Sequence, residues 1–193
     1  MKIDEAVELY KALGACGVPG ETADLLREFS TYAEAWEKWP EELYQDRYWL
    51  LFRVAGKFGS KSHRFACRVL GECLAKPLRR QTEPQTEARR ATNRVLWLLA
   101  KYGDGGWVTR QDFADAAEAA WAVGRAAQAA WAARAAWWAA EATETAGATE
   151  ATATWAARAA RAAEGTKAML ARVSASWLER RMRATVKAER SGR

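Results

Sequence analysis

The chain has 193 residues, 50% of them apolar, and its 30 Lys and Arg residues against 24 Asp and Glu residues give a net charge of +6. That length predicts one domain, which can bury a core without disulfides or metals. No uncharged run approaches the roughly 20 residues that span a bilayer, and no signal peptide opens the chain. We therefore expect a cytoplasmic protein that does not enter membranes.

The composition is unusual in two ways. There are 11 tryptophans, and alanine dominates residues 114–163. Only 4 prolines occur, and no segment alternates apolar and polar residues as a half-buried strand does. These features predict an all-α fold. We expect a single compact bundle of seven or eight helices, with a long Ala/Trp-rich helix and Ala-rich C-terminal helices.

Four helices are predicted before residue 80 from apolar residues at helical spacing. They run from about Lys2 to Leu13, Glu21 to Lys38, Glu41 to Ala55, and Ser60 or Ser62 to Lys76. The first has four apolar residues on one face: Ile3, Ala6, Val7 and Tyr10. Gly56 and Gly59 are expected to end the third helix, a serine to cap the fourth, and Pro77 to stop it.

A fifth helix is predicted from about Gln85 to Tyr102, ended by the glycines of Gly103–Gly106. Its predicted buried residues are Val95, Leu96, Leu98 and Leu99. Thr109, followed three residues later by Asp112, resembles a capping box that starts the longest helix. That helix, from about Arg110 to Glu141, would extend about 45 Å.

The remainder of the chain is predicted to be helical after a break. Residues 143–154 are rich in threonine and contain glycine, which indicates a hinge. A short alanine-rich helix follows, and a last helix is predicted from about Thr166 to Glu189. We divide the chain into a helical domain, residues 1–142, and Ala-rich, basic C-terminal helices, residues 143–193, which we expect to pack on the same domain.

Charge is segregated along the chain. Residues 1–45 carry a net charge of −6, residues 46–111 carry +9, residues 112–157 carry −4 and residues 158–193 carry +7. Acidic and basic blocks can neutralise each other when the helices pack. The positive net charge alone is therefore weak evidence for a nucleic-acid partner.

Two arginine pairs form the first candidate binding surface. Arg64 with Arg68, and Arg90 with Arg94, are four residues apart, so each pair projects from one helix face. The planar guanidinium grips a carboxylate or phosphate with two hydrogen bonds. The expected partner is an acidic protein surface or a small anionic ligand, with nucleic acid as an alternative. The structural alternative is a solvated face that pairs with the chain's own acidic helices.

The long helix carries a second candidate surface, a stripe of tryptophans and arginines at helical spacing. Its members are Trp121, Arg125, Trp131 and Arg134. Both residue types are enriched where interfaces concentrate their binding energy, and tryptophan also stacks on bases. The alternative is that these tryptophans pack in the protein's own core. The alanine face beside them would let another helix approach closely.

A basic C-terminal segment is the alternative nucleic-acid-binding surface. Its residues are Arg180, Arg181, Arg183 and Lys187. They could contact phosphates. They could equally stabilise the carboxyl end of the last helix, or form a solvated terminus.

Signals for catalysis are weak. The single histidine, His63, argues against a histidine-based metal site or a Ser-His-Asp arrangement, and the three cysteines have no metal-site or redox spacing. Cys67 lies near His63 and two arginines, which could lower the pKa of its thiol. A buried structural cysteine is the more common case. We predict no catalytic residue, no cofactor and no metal, and hence no enzyme.

Five segments of the chain form a further pattern: Trp49–Leu51, His63–Arg68, Glu87–Leu99, Gly105–Thr109 and Phe113–Ala122. Through them, residues 46–140 resemble a family of immunity proteins found beside bacterial polymorphic toxins and in phage genomes. The resemblance implies a cytoplasmic, helical, non-enzymatic protein that binds and neutralises a partner. The family has an acidic residue and a second cysteine near this helix. Only Cys67 stands in the matching place here, so no metal or redox role carries over.

We therefore expect a binding protein that inhibits or sequesters a partner, either an immunity protein or a phage-encoded antagonist of host defence. Reversing Arg64 and Arg68 to glutamate is expected to abolish partner capture and leave the fold intact. Two alternatives remain open. One is a nucleotide- or nucleic-acid-binding module, and the other is a self-assembling structural protein whose tryptophans form the contacts of a homo-oligomer.

Overall fold

The computed structural model describes residues 1–13, 25–38, 47, 50–51, 53–81, 87–123 and 170–191. Within these ranges the structure bounds six helices, with further helical residues at 50–51, 53–54 and 170–172, no strand, and one isolated β-bridge between Lys2 and Thr31. The helices are α1 (Ile3–Ala12), α2 (Tyr32–Lys38), α3 (Lys61–Gln81), α4 (Glu87–Gly103), α5 (Arg110–Val123) and α6 (Ala175–Ser191). The all-α prediction is confirmed.

One compact unit combines residues 1–44 with residues 173–193. In it, α6 packs against both α1 and α2. Its core includes the predicted apolar face of α1, which is buried as expected, and the α6 residues Leu178, Met182 and Val186. The indole N–H of Trp36 donates to the backbone carbonyl of Val173 at 2.8 Å, which satisfies the polar group of a buried side chain.

A second compact unit spans residues 45–172. In it, α4 contacts both α3 and α5. The α3 and α4 backbones approach closely because glycines lie at the crossing. A Cβ added at Gly71 would lie 3.2 Å from Cβ of Leu99, and one added at Gly103 would lie 2.7 Å from Cβ of Arg68. Larger side chains at these two glycines would push the helices apart.

The alanine-rich start of the long helix behaves as predicted where it is described. Ala116, Ala117 and Ala120 of α5 are buried, whereas Glu118 is exposed. The rest of the predicted long helix, the hinge at residues 143–154 and the alanine-rich helix after it lie outside the described residues. The predicted domain boundary at residue 142 lies outside them as well.

One helix predicted as continuous, over residues 21–38, is interrupted, because α2 has its own start. Thr31 caps α2: its hydroxyl accepts from the N–H of Glu34 at 3.2 Å. The Glu34 carboxylate reaches back and accepts from the N–H of Ser30, also at 3.2 Å. This reciprocal pair is a variant of the capping box, which fixes a helix start whatever the apolar pattern before it.

The last predicted helix, over residues 166–189, is also interrupted. The backbone leaves the helix at Val173 and Ser174 and re-enters it at α6. The Ser174 hydroxyl accepts from the N–H of Trp177 at 3.3 Å, so serine caps the new start.

The prediction that Pro77 stops its helix is wrong, because α3 continues to Gln81. Proline removes one backbone donor from a helix interior but does not prevent the following residues from staying helical. The predicted start of this helix is confirmed, since the Ser60 hydroxyl accepts from the N–H of His63 at 3.1 Å.

Two further predicted helix boundaries in the second unit are also confirmed. Gly56 and Gly59 have φ of 81° and 87°, left-handed values that end the preceding helix. Thr109 and Asp112 form the predicted capping box. The Asp112 N–H donates to the Thr109 hydroxyl at 3.1 Å, and the Thr109 N–H donates to the Asp112 carboxylate at 2.8 Å.

Candidate functional site

The exposed side of α4 carries a basic–aromatic stripe, which we define as Arg90, Arg94, Trp97 and Lys101. Steps of four, three and four residues place these side chains on one side of the helix, and all four are exposed. Nζ of Lys101 lies 4.7 Å from the centroid of the Trp97 ring, within cation–π range. The ring is nevertheless 58% exposed. The stripe thus offers three cations around an accessible indole.

The loop after α4, residues 104–109, turns back beside Lys101 and presents a second indole; we name it the Trp107 loop. The Gly106 N–H donates to the carbonyl of Lys101 at 2.8 Å, and a Cβ added at Gly106 would lie 2.7 Å from Cγ of Lys101. Gly105 has a φ of 90°, which favours glycine. Val108 is buried, whereas Trp107 is 81% exposed.

Arg64 and Arg68 of α3 bind the end of α4. The Arg64 guanidinium donates to the carbonyls of Tyr102 and Gly106 at 3.2 and 3.4 Å. Arg68 donates to the carbonyl of Gly103 at 2.9 Å. The last carbonyls of a helix have no partner within the helix, so these arginines cap α4 and hold the Trp107 loop. We therefore no longer expect their reversal to leave the fold intact; a contact with a partner stays a prediction.

The Arg90–Arg94 pair differs, because both side chains are exposed on the stripe. A carboxylate lies beside them on α5. Hydrogen bonds from the backbone and side chain of Thr109 lower the pKa of Asp112, and the positive charges of Lys101 and Arg94 lower it further. The hydrogen bonds from Thr109 have the largest effect on this carboxylate, and the charges of Lys101 and Arg94 act in the same direction.

Beneath the Trp107 loop, His63, Tyr102 and Cys67 form a buried polar network. The Tyr102 hydroxyl accepts from the Gly59 N–H at 2.6 Å and lies 2.9 Å from Nδ1 of His63. Sγ of Cys67 lies 3.9 Å from the same nitrogen. Burial lowers the pKa of His63 to about 4, helped by nearby arginine charges, and burial raises the pKa of the Cys67 thiol.

This network shows whether nearby arginines lower the pKa of the Cys67 thiol, which the sequence left open. The arginine next to Cys67 does not produce a reactive thiolate, because the effect of burial on its pKa is larger than the effect of the positive charge. Cys67 is a buried structural cysteine, as is Cys73. In the described ranges, no three His, Cys, Asp or Glu side chains come together as a metal site requires.

The predicted stripe of the long helix cannot be placed. Trp121 belongs to α5, but its side chain lies outside the described residues, as do Arg125, Trp131 and Arg134 in full. Their role in partner binding stays a prediction.

The predicted alternative nucleic-acid-binding residues lie on α6, in the unit formed by residues 1–44 and 173–193. Arg180 and Lys187 are exposed. Nε of Arg183 donates to Oε1 of Glu5 at 2.7 Å, and Arg181 is half-buried. Of the four cations, Arg183 is therefore paired within the protein and Arg181 is partly buried. Fewer positive charges of this segment are then available to bind phosphates.

Sequence reasoning missed two residues of the candidate surface, Trp97 and Trp107. They are the large apolar side chains that the described part of the chain exposes. A signal for Trp97 was available, because it lies three residues after Arg94 and four before Lys101, on the polar side of α4. Trp107 follows two glycines in a loop, where periodicity gives no information.

Comparison with protein-family models, curated proteins and solved structures finds no match for this chain. No helix in the described ranges is long and apolar enough to cross a bilayer.

Proposed function

We propose that this protein is a non-enzymatic binding protein that inhibits or sequesters a partner with an acidic protein surface. The observation that carries the proposal is the basic–aromatic stripe. Arginine and tryptophan are enriched among the residues that dominate protein interfaces. The cations would steer an acidic partner toward the stripe, and the indole would supply apolar contact area.

The shape of the stripe favours a macromolecule over a small anionic ligand. Small-molecule sites are concave and enclose most of the ligand surface. The stripe is the convex, exposed side of a helix, so it suits a partner that brings its own complementary surface.

The charges around the stripe favour a protein over nucleic acid. Asp112 lies close enough for the stripe to lower its pKa, and Asp104 forms an ion pair with Arg68 at 2.8 Å. A phosphate backbone would meet these carboxylates with like charge, whereas a protein surface can place neutral or basic groups against them.

The two biological roles expected from the sequence both fit such a protein. An immunity protein and a phage-encoded antagonist each need only to cover a surface that the target requires for its activity. The stripe supplies a binding surface for either role, and the identity of the partner separates them.

The experiment begins with native mass spectrometry of the protein purified gently from its own host. The protein found with it is then purified and titrated by isothermal titration calorimetry. We expect Arg90→Glu/Arg94→Glu to weaken binding by about 30-fold or more, since truncation of central arginines costs about 2 kcal/mol or more. The matched control is Arg180→Glu/Arg190→Glu, which reverses two exposed arginines of α6 and should change affinity by less than about threefold.

Equal losses of affinity for the partner in the two double variants would show that net charge, rather than the stripe, drives binding. That result would contradict the proposal. Displacement of the partner by a short oligonucleotide would favour the nucleic-acid alternative. A homo-oligomer that carries no partner would favour self-assembly.

A further inference from the structure

The Trp107 loop follows the stripe at the carboxyl end of α4 and begins beside its last residue, Lys101. From Arg90 to Lys101 the helix rises about 16 Å. The loop then folds back onto Lys101 through the hydrogen bond from Gly106, which places Trp107 next to the end of the stripe. Along the chain the order is two arginines, an indole, a lysine, the Asp104 carboxylate, which pairs with Arg68, and a second indole.

The Trp107 loop is held in place at both ends. The N–H groups of Asp104 and Gly105 donate to the carbonyls of Ala100 and Tyr102 at 2.9 and 3.1 Å. At the other end, the capping box of α5 fixes Thr109. Because the backbone of the loop is already ordered, binding does not have to order it, and Trp107 is presented from a preorganised loop.

The other indole is also restrained. Lys101 lies over one face of the Trp97 ring, which leaves the remaining ring surface to solvent. A purely acidic partner surface would use the cations of the stripe and leave both indoles in water. A partner that uses the whole surface must bring apolar side chains to the two rings and carboxylates to the cations.

We propose that the stripe and the Trp107 loop bind an extended acidic segment of the partner, in which the side chains on one side of the segment include both carboxylates and apolar groups. This inference rests on the proposed function and names the kind of partner. An extended chain advances about 3.3 Å per residue, so roughly five residues cover the stripe and a few more reach Trp107. Its side chains point alternately to two sides, so residues two apart share a side, and that side must carry both carboxylates and apolar groups to match the mixed surface.

The test uses two fluorescein-labelled peptides with the same number and spacing of aspartates. In the first, pairs of aspartate, six aspartates in all, alternate with Phe-Leu pairs, so each side of the extended peptide carries both kinds of side chain; in the second, serine takes every apolar position. Fluorescence anisotropy should show the apolar peptide binding about tenfold more tightly, the contribution expected when an exposed indole gains an apolar contact. Binding of both peptides should weaken in Arg90→Glu/Arg94→Glu.

Two single variants locate the apolar contribution. Trp97→Ala and Trp107→Ala should each reduce the tenfold advantage to about threefold or less, and should leave affinity for the serine peptide unchanged. Both side chains are exposed, so the variants should fold, which circular dichroism checks. Trp107→Phe should retain most of the advantage, because an aromatic ring remains.

Equal affinity of the two peptides would overturn the inference, as would tighter binding of a twelve-nucleotide oligo-dT than of either peptide. The proposed function is tested by a different result. It survives if Arg90→Glu/Arg94→Glu still loses the identified partner, and it fails together with the inference if that variant binds the partner and both peptides normally.

Discussion

The imidazole of His63 is wholly buried beside Tyr102, and its pKa of about 4 lies below its ordinary value of 6.5. The unfolded chain therefore binds a proton at a higher pH than the folded chain does. Stability should be complete above about pH 6.5, fall as the pH drops, and be lower by about 3 kcal/mol near pH 4. Urea denaturation at several pH values measures this change.

The control for that measurement is His63→Gln, which does not titrate. Carboxylates with lowered pKa, such as Asp112, also reduce stability in acid, and both proteins share that effect. We expect a clearly shallower decrease between pH 6.5 and pH 4 in the glutamine variant. Parallel curves would show that His63 contributes nothing to the acid sensitivity.

At the residue scale, helical spacing predicted burial well and exposure poorly. Val95, Leu96, Leu98 and Leu99 were expected in the core and are buried. Trp97 stands among them in sequence, and a tryptophan usually packs inside a protein. Only its angular position on α4, set by the whole helix, shows that it faces solvent.

At the scale of the element, the carboxyl end of α4 depends on arginines from α3. Arg68→Glu removes the hydrogen bond to Gly103 and places a negative charge beside Asp104 and the last carbonyls of the helix. We expect it to lower the free energy of unfolding by about 1–2 kcal/mol. Thermal and urea denaturation are the measurements.

Reversing an arginine charge near the amino end of α4 provides the control for the stability change in Arg68→Glu. Arg90 lies in the first turns of the helix, where a negative charge is favourable, so Arg90→Glu should change stability by less than about 0.5 kcal/mol. A loss in Arg90→Glu as large as that in Arg68→Glu would contradict the capping role of Arg68.

Helix existence was predictable from the sequence, and helix boundaries were predictable only where a local signal was unambiguous. The Thr109–Asp112 box and the glycines after α4 were such signals. The starts of α2 and α6 were missed because apolar spacing continues through Thr31 and Ser174, although both are good capping residues. The end assigned at Pro77 followed a general tendency that tertiary packing overrides.

At the scale of the whole molecule, the two compact units have separate cores. Met182 is fully buried on α6, the helix that packs on α1 and α2. Met182→Ala should cost about 2–5 kcal/mol. Hydrogen exchange should show lost protection in α1, α2 and α6 and retained protection in α3, α4 and α5.

The control is Arg180→Ala, an exposed position on the same helix, which should leave exchange unchanged. If Met182→Ala opens α3, α4 and α5 to the same extent, the two units unfold as one.

Charge segregation predicted that blocks distant in sequence would neutralise each other, and one case is visible. Glu5, from the acidic block 1–45, pairs with Arg183 from the basic block 158–193, and the hydrogen bond from Arg183 lowers the pKa of Glu5. The sequence could not show which blocks would pair, because the net charge of a segment does not say where its residues lie in the fold.

The bond between Trp36 and Val173 joins residues that are 137 positions apart. A ribosome adds on the order of 10 residues per second, so α1 and α2 leave it more than 10 s before α6 is made. During that interval the apolar residues of α1 and α2 have no α6 to pack against. Newly made chains therefore pass through a period in which chaperones can bind these residues and aggregation competes with folding.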